Sequence, residues 1–179
     1  KSARVGYTSL LTATLAAYVA NQPSPILAVL PTQDDARDYA VGDIEGTFGA
    51  SPVLRGLLDA DNDETGRSTL LSRRFAGGSL KLVAAKSPRN LRRHNAKVLL
   101  LDEIDGFEIG QEGDPIALAE MRTLAFRDRK ILAGSTPVFD HGPVSRLYAK
   151  SDQRVFEVPC PSCGAFAEIK WANIVWPEG

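Results

Sequence analysis

Lys1, Ser2, Ala3, Arg4, Val5, Gly6, Tyr7 and Thr8 stand immediately ahead of a Leu- and Ala-rich run. A phosphate-binding loop is written G-x-x-x-x-G-K-[ST]. Its amides and the helix N-terminus hold phosphate oxygens, the lysine neutralises them and the hydroxyl binds magnesium. Gly6 and Thr8 fit that form, whereas Tyr7 stands at the lysine position and Lys1 at that of the first glycine. The positive charge is kept but moved to the other end of the loop, from which a long side chain still reaches the phosphates. The bland alternative is an incidental basic segment before a helix.

Further along, Val98 to Leu101 is a four-residue apolar run that ends in Asp102 and Glu103. That pattern sets two carboxylates at the C-terminal tip of a buried strand, where parallel sheets bind ligands. In a phosphate-loop ATPase the first acid holds the magnesium shell and the second polarises the attacking water. The alternative is an acidic pair that caps the next turn. Gly134-Ser135-Thr136-Pro137 follows another short apolar run, and small hydroxyls at a strand tip can sense a γ-phosphate or its water, although such residues are also common in plain turns. Cys160 and Cys163 are spaced as a zinc knuckle, with Gly164 permitting the tight turn. A tetrahedral site needs two more ligands, and the expectation is that they lie beyond Gly179; otherwise the cysteines are an unoccupied or redox pair. The basic run Ser87 to His94 can contact DNA phosphate, bear on a neighbouring subunit's nucleotide, or be a solvated loop. His94 and His141 read as structural or solvent-exposed.

The elements that must position these residues alternate in type. Ser9 to Ala20 reads as a helix stopped by Asn-Gln-Pro, and Ile26 to Leu30 as a strand buried on both faces. Thr32 caps a helix expected over Gln33 to Phe48, with Asp34 and Asp35 in its first turn. Ser51 to Gly66, with its DADNDE run, reads as a solvated connection with a short helix in it. Thr69 to Phe75 and Ser79 to Ala84 make a hairpin around Ala76-Gly77-Gly78. Lys97 to Leu101 is a strand, Pro115 to Phe126 a helix and Lys130 to Ala133 a strand. Such alternation predicts a mainly parallel sheet covered by helices on both faces. Beyond Lys150, short strands are expected at Val155 to Val158, Glu168 to Trp171 and Ile174 to Trp176, with Trp171, Ile174 and Trp176 packing a small module.

Composition bounds the function. Among 179 residues, 44% are hydrophobic and 24% charged, which suits a globular domain rather than a disordered chain. Lys plus Arg number 21 against 22 for Asp plus Glu, so a uniformly basic nucleic-acid coat is excluded and a local patch is not. No apolar run is long enough to span a membrane, and the expectation is a soluble intracellular protein. The chain opens at Lys1 without an initiator Met, as a window cut from a longer sequence would.

Taken together, KSARVGYT before a helix, the Gly-Gly hairpin, Ser-Pro-x-x-Leu-Arg, LLLDEIDGF, GSTP and VPCPSCG followed by WPEG resemble the large terminase subunit of lambda-type tailed phages. The displaced lysine is a feature of that family's loop. The resemblance implies an α/β three-layer P-loop NTPase, RecA-like and of the additional-strand catalytic-glutamate type. That core would occupy 1–150, lacking the strand that feeds the loop, and a truncated zinc-ribbon-like β module 151–179. It implies an ATPase motor that drives double-stranded DNA into a procapsid, in a protein that is also an endonuclease; the nuclease carboxylates have no counterpart in this window. Lys1 through Thr8 would form the ATP loop, with Arg4 able to touch phosphate in cis. Thr8 and Asp102 would hold Mg2+, Glu103 would orient water, Ser135 and Thr136 would couple, and Cys160 and Cys163 would take Zn2+. The implied partners are double-stranded DNA, the phage portal and procapsid, the small terminase subunit and further copies in a ring, in the host cytoplasm and without a membrane. The rival readings are another nucleic-acid helicase or translocase, and a non-catalytic zinc-bearing DNA-binding or assembly module.

Overall fold

The computed structural model describes residues 5–58, 68–173 and 175–176. Lys1, Ser2, Ala3 and Arg4, the whole acidic run Asp59 to Glu64, and Ile174 therefore lie outside the described residues.

The first helix, α1, spans Tyr7–Asn21 and starts two residues before its expected beginning. Gly6 takes a left-handed conformation (φ 77°), which turns the chain into the helix without a side-chain cap. Leu11, Leu15 and Val19 recur at helical spacing and are buried on one face. Next, β1 (Pro25–Leu30) is buried from Ile26 onward. It pairs in parallel with β3 (Gly78–Ala84) on one side and β4 (Val98–Asp102) on the other. Outside β4 lies β5 (Lys130–Gly134), also parallel. The far edge is β2 (Ser72–Phe75), antiparallel to β3, so the expected hairpin forms and the order is β2-β3-β1-β4-β5.

Alternation along the strands divides the core between two faces. Ile26, Ala28, Leu30, Val98 and Leu100 pack with α1 and with Tyr39, Ile44 and Phe48. Leu27, Val29, Leu99 and Leu101 pack with Leu91, Ile104, Ile116 and Ala119. The protein is therefore an α/β structure with a mostly parallel sheet and helical cover on both faces, as the apolar runs predict.

Several expected boundaries are corrected. The helix read over Gln33 to Phe48 is α2 (Gln33–Asp38), a π-helical stretch Tyr39–Glu45, and α3 (Gly46–Ala50). Its start is as expected: Thr32 Oγ1 accepts from Asp35 N at 3.1 Å, and the Asp35 carboxylate accepts from Thr32 N at 2.9 Å. The helix expected through Phe126 stops as α5 (Pro115–Glu120) and a 3-10 turn Met121–Thr123, with Thr123 Oγ1 donating to the Glu120 carbonyl at 2.7 Å. Two short helices were not read from the sequence, α4 (Pro88–Leu91) and α6 (Pro143–Ala149), although each carries a helix-opening proline.

The C-terminal segment is smaller than expected. β6 (Glu157–Pro159) and β7 (Phe166–Glu168) pair only with each other, as a two-stranded ribbon. Trp171–Asn173 is a 3-10 turn rather than the end of a strand, and Val175 and Trp176 lie outside regular structure. They are 89% and 61% exposed, so Trp176 is not the packed residue expected.

Candidate functional site

The parallel strands β1, β4 and β5 run the same way, so their C-terminal ends meet on one edge of the sheet, beside the N-terminus of α1. Asp102, the last residue of β4, is only 7% exposed. Thr8, in the first turn of α1, donates its hydroxyl to Asp102 Oδ2 at 2.7 Å across 94 residues of chain. The other oxygen, Oδ1, accepts from the Glu103 amide at 3.0 Å. Thus each carboxylate oxygen has a hydrogen-bond donor that orients it.

Glu103 turns the chain out of β4 in a left-handed conformation (φ 51°, ψ 48°) that costs a non-glycine residue energy and is often kept at functional sites. Its Oε2 accepts from the Ser135 hydroxyl at 3.2 Å and from the Thr136 amide at 3.3 Å. Ser135 is 1% exposed and also accepts from the Asp105 amide at 3.2 Å. The Glu103 carboxylate therefore joins the Ser135 hydroxyl and the Thr136 amide at neighbouring strand tips.

Tyr7 closes the group from the side of the loop. A Cβ built on Gly134 would lie 2.3 Å from its Cζ, so the ring end fills the space over the tip of β5. Burial, and then the negative charges of Asp102 and Glu103, push its phenol well above the ordinary tyrosine range, so it stays neutral. Behind it, Tyr39 accepts from Thr12 Oγ1 at 3.1 Å. Burial, partly offset by that hydrogen bond, pushes the Tyr39 phenol up to about 12, with Asp43 and Asp102 adding to the rise. Asp43 is held above the ordinary carboxylate range by burial and by Asp102. Among the described residues, Asp43, Asp102 and Glu103 gather negative charge at this edge, which a cation would relieve. A threonine hydroxyl and one carboxylate are hard oxygen donors of the kind Mg2+ takes alongside phosphates and water, so Thr8 and Asp102 fit that ion.

Sequence reasoning missed Asp105. Its Oδ2 accepts from Val138 N and its Oδ1 from Val144 N, both at 2.9 Å, which ties the loop after β5 and the start of α6 to the end of β4. The only signal was a third acid in the run Asp102-Glu103-Ile104-Asp105. Asp105→Ala is expected to raise amide exchange at Val138 and Val144 about thirtyfold, the equivalent of about 2 kcal/mol of lost charge-assisted hydrogen bonding; unchanged exchange at both amides would refute the clamp.

The remaining candidates lie apart from this group. Arg92 of the basic run pairs with Glu112 at 2.8 Å and His94 is half-buried, its imidazole held below the usual range by burial and by Lys81 and Arg93. His141 is exposed and stacks on Phe139 with ring centroids 5.5 Å apart. Cys160 and Cys163 sit on the β6–β7 turn, where Gly164 takes φ 73° and its amide donates to the Cys160 carbonyl at 2.8 Å. The Cys163 and Ser162 amides hold the Cys160 thiol below its ordinary range. Among the described residues, no three His, Cys, Asp or Glu side chains gather to hold a metal. Among the described residues, then, Cys160 and Cys163 form a two-cysteine turn to which the ribbon brings no further ligand.

Comparison with known proteins follows the same lines. The family model described as phage terminase large subunit gpA, ATPase domain, matches residues 1–179. The large terminase subunit of Escherichia phage lambda is 30% identical over the whole chain, and that of Enterobacteria phage P21 is 28% identical. The chain spans 29% of the length of each. Among solved structures, the HK97 bacteriophage large terminase superposes with a TM-score of 0.67 at 15% identity, covering 83% of this chain and 31% of that one. The Thermus phage P74-26 large terminase ATPase domain gives 0.52 at 18% identity, covering 76% and 57%. These two likenesses concern the fold.

Proposed function

The chain belongs to the phage terminase large subunit gpA ATPase-domain family, and from that premise we propose that it is the ATP-hydrolysing core of a motor that packages double-stranded DNA. The observation that carries the reading is the Thr8 to Asp102 hydrogen bond of 2.7 Å, with Glu103 held beside it by Ser135 and Thr136. A helix-start hydroxyl, a strand-tip acid and a second acid in one cluster is the arrangement a nucleoside triphosphatase of the P-loop, additional-strand catalytic-glutamate type requires.

In this reading the loop amides of Lys1 to Thr8 cradle the phosphates, with the charge of Lys1 replacing that of the usual loop lysine and Arg4 available in cis. Thr8 and Asp102 would hold Mg2+, which would offset negative charge on the phosphates. The Glu103 carboxylate accepts a hydrogen bond from water and aligns it for in-line attack on the γ-phosphorus. Ser135 and Thr136 fix that carboxylate and pass its changes to β5. The core is 1–150, and 151–179 is an appended module. Among the described residues β5 pairs with β4 alone in its sheet, and Ile131 to Ala133 are half-buried. Zinc at Cys160 and Cys163 needs ligands from elsewhere and has no part in the hydrolysis.

As a packaging motor the protein would work in the host cytoplasm as a ring of copies on the portal of a procapsid, with the small terminase subunit and double-stranded DNA. The described residues include no helix long and apolar enough to cross a membrane. The test is DNA-stimulated MgATP hydrolysis by the full-length protein with portal-bearing procapsids. DNA should become nuclease-protected inside the capsids; strand unwinding with no capsid dependence would instead make it a helicase.

A further inference from the structure

We propose that Tyr7 is a positioning residue that links the phosphate loop mechanically to the catalytic-glutamate side of the site, through Gly134. The proposal rests on the ATPase reading above.

Tyr7 lies between Gly6, whose left-handed turn ends the loop, and Thr8, which holds Asp102. A lysine at this position would extend toward phosphate; the tyrosine is instead laid across β5. Its ring end is so close to Gly134 that an added Cβ would stand 2.3 Å from Cζ, 2.4 Å from Cε1 and 2.7 Å from the hydroxyl oxygen. No side chain larger than hydrogen fits there unless the ring moves. Gly134 is the last residue of β5 and the register partner of Asp102. The next two residues, Ser135 and Thr136, hold Glu103 Oε2. A chain of direct contacts therefore runs from the loop through the Tyr7 ring to the tip of β5 and on to Glu103. Glu103 itself has a left-handed backbone that only its surroundings maintain. Phosphate entering or leaving the loop shifts the ring, and the ring shifts the two groups that aim Glu103. The working part is the aromatic body, which a neutral phenol supplies without charge.

The experiment measures MgATP turnover and thermal melting in the full-length protein. Tyr7→Phe keeps the ring and should retain kcat within about threefold. Tyr7→Ala should lower kcat by about tenfold or more while the KM for ATP changes by less than about threefold, because aim is lost and not phosphate binding. Gly134→Ala, which pushes the ring away, should lose kcat to a similar extent, and the double variant should be no worse than Tyr7→Ala alone. Where Tyr7→Ala does not fold, Tyr7→Leu carries the same expectation. Wild-type turnover in Tyr7→Ala, a raised KM at unchanged kcat, a Phe variant as impaired as Ala, or losses that multiply in the double variant would each overturn the link. Thr8→Ala and Glu103→Gln serve as controls: if both turn over normally, the ATPase site itself is misassigned. If both are impaired and Tyr7→Ala is not, only the link fails.

Discussion

Glu103→Gln in the full-length protein is expected to bind ATP within about twofold of wild type and to lower kcat by about 1000-fold, inside the range for losing a positioned base. The substitution is nearly isosteric. The amide oxygen still accepts from the Ser135 hydroxyl and the Thr136 amide, now 3.2 and 3.3 Å from the carboxylate, and the left-handed backbone at Glu103 is untouched. What disappears is the charge that draws a proton of water and aligns its lone pair. Single-turnover hydrolysis with a fluorescent-nucleotide binding titration separates the two effects. Turnover within a few-fold of wild type would remove Glu103 from the reaction, whereas lost binding with lost turnover would make its role structural.

Asp102→Asn should act earlier in the cycle. The Asp102 side chain accepts from Thr8 Oγ1 at one oxygen and from the Glu103 amide at the other. An asparagine can keep both contacts only by turning its oxygen to the Glu103 amide, which can only donate, and its nitrogen to Thr8, whose hydroxyl can reverse. Local geometry survives, and a negative charge is lost. The Mg2+ concentration for half-maximal activity should rise about tenfold or more and kcat should fall about 100-fold, since the charge on the transferring phosphoryl group is then poorly offset. A second readout needs no nucleotide. The Asp102 anion helps raise the Tyr39 phenol, which stands at about 12; removing an anion favours the phenolate, so that pKa should fall in an ultraviolet titration. An unmoved tyrosine titration together with unmoved Mg2+ dependence would dissociate Asp102 from the site.

Much of this arrangement is legible in the sequence because it is local. Four apolar residues before Asp102 predict a buried strand with acids at its tip, and β4 is that strand. The apolar runs at Ile26 and Ile131 likewise become β1 and β5, and the Gly-Gly turn becomes the β2–β3 hairpin. Errors gather where local pattern and tertiary packing compete. Periodicity alone does not show a π-helical turn, so the helix after Thr32 was read as one piece. The helix predicted to run to Phe126 gives way instead to the 3-10 turn Met121–Thr123. The strand expected over Glu168 to Trp171 lies earlier, as β7 (Phe166–Glu168), and Trp171–Asn173 is a 3-10 turn.

By itself, then, the sequence determined the residue types of the site and their order along the chain: a hydroxyl at a helix start, two acids after a strand, and a hydroxyl pair after the next. It also determined the α/β alternation, because burial periods of two and 3.6 are written in neighbouring residues. Only the tertiary structure decided which of these groups touch. Parallel pairing of β4 with both β1 and β5 brings their ends to one edge. That is what sets Thr8 against Asp102 across 94 residues, Glu103 against Ser135, Asp105 against the loop after β5, and Tyr7 over Gly134. Contacts between distant segments depend on strand order, register and the space left at a glycine, and none of these is encoded in any short window of sequence.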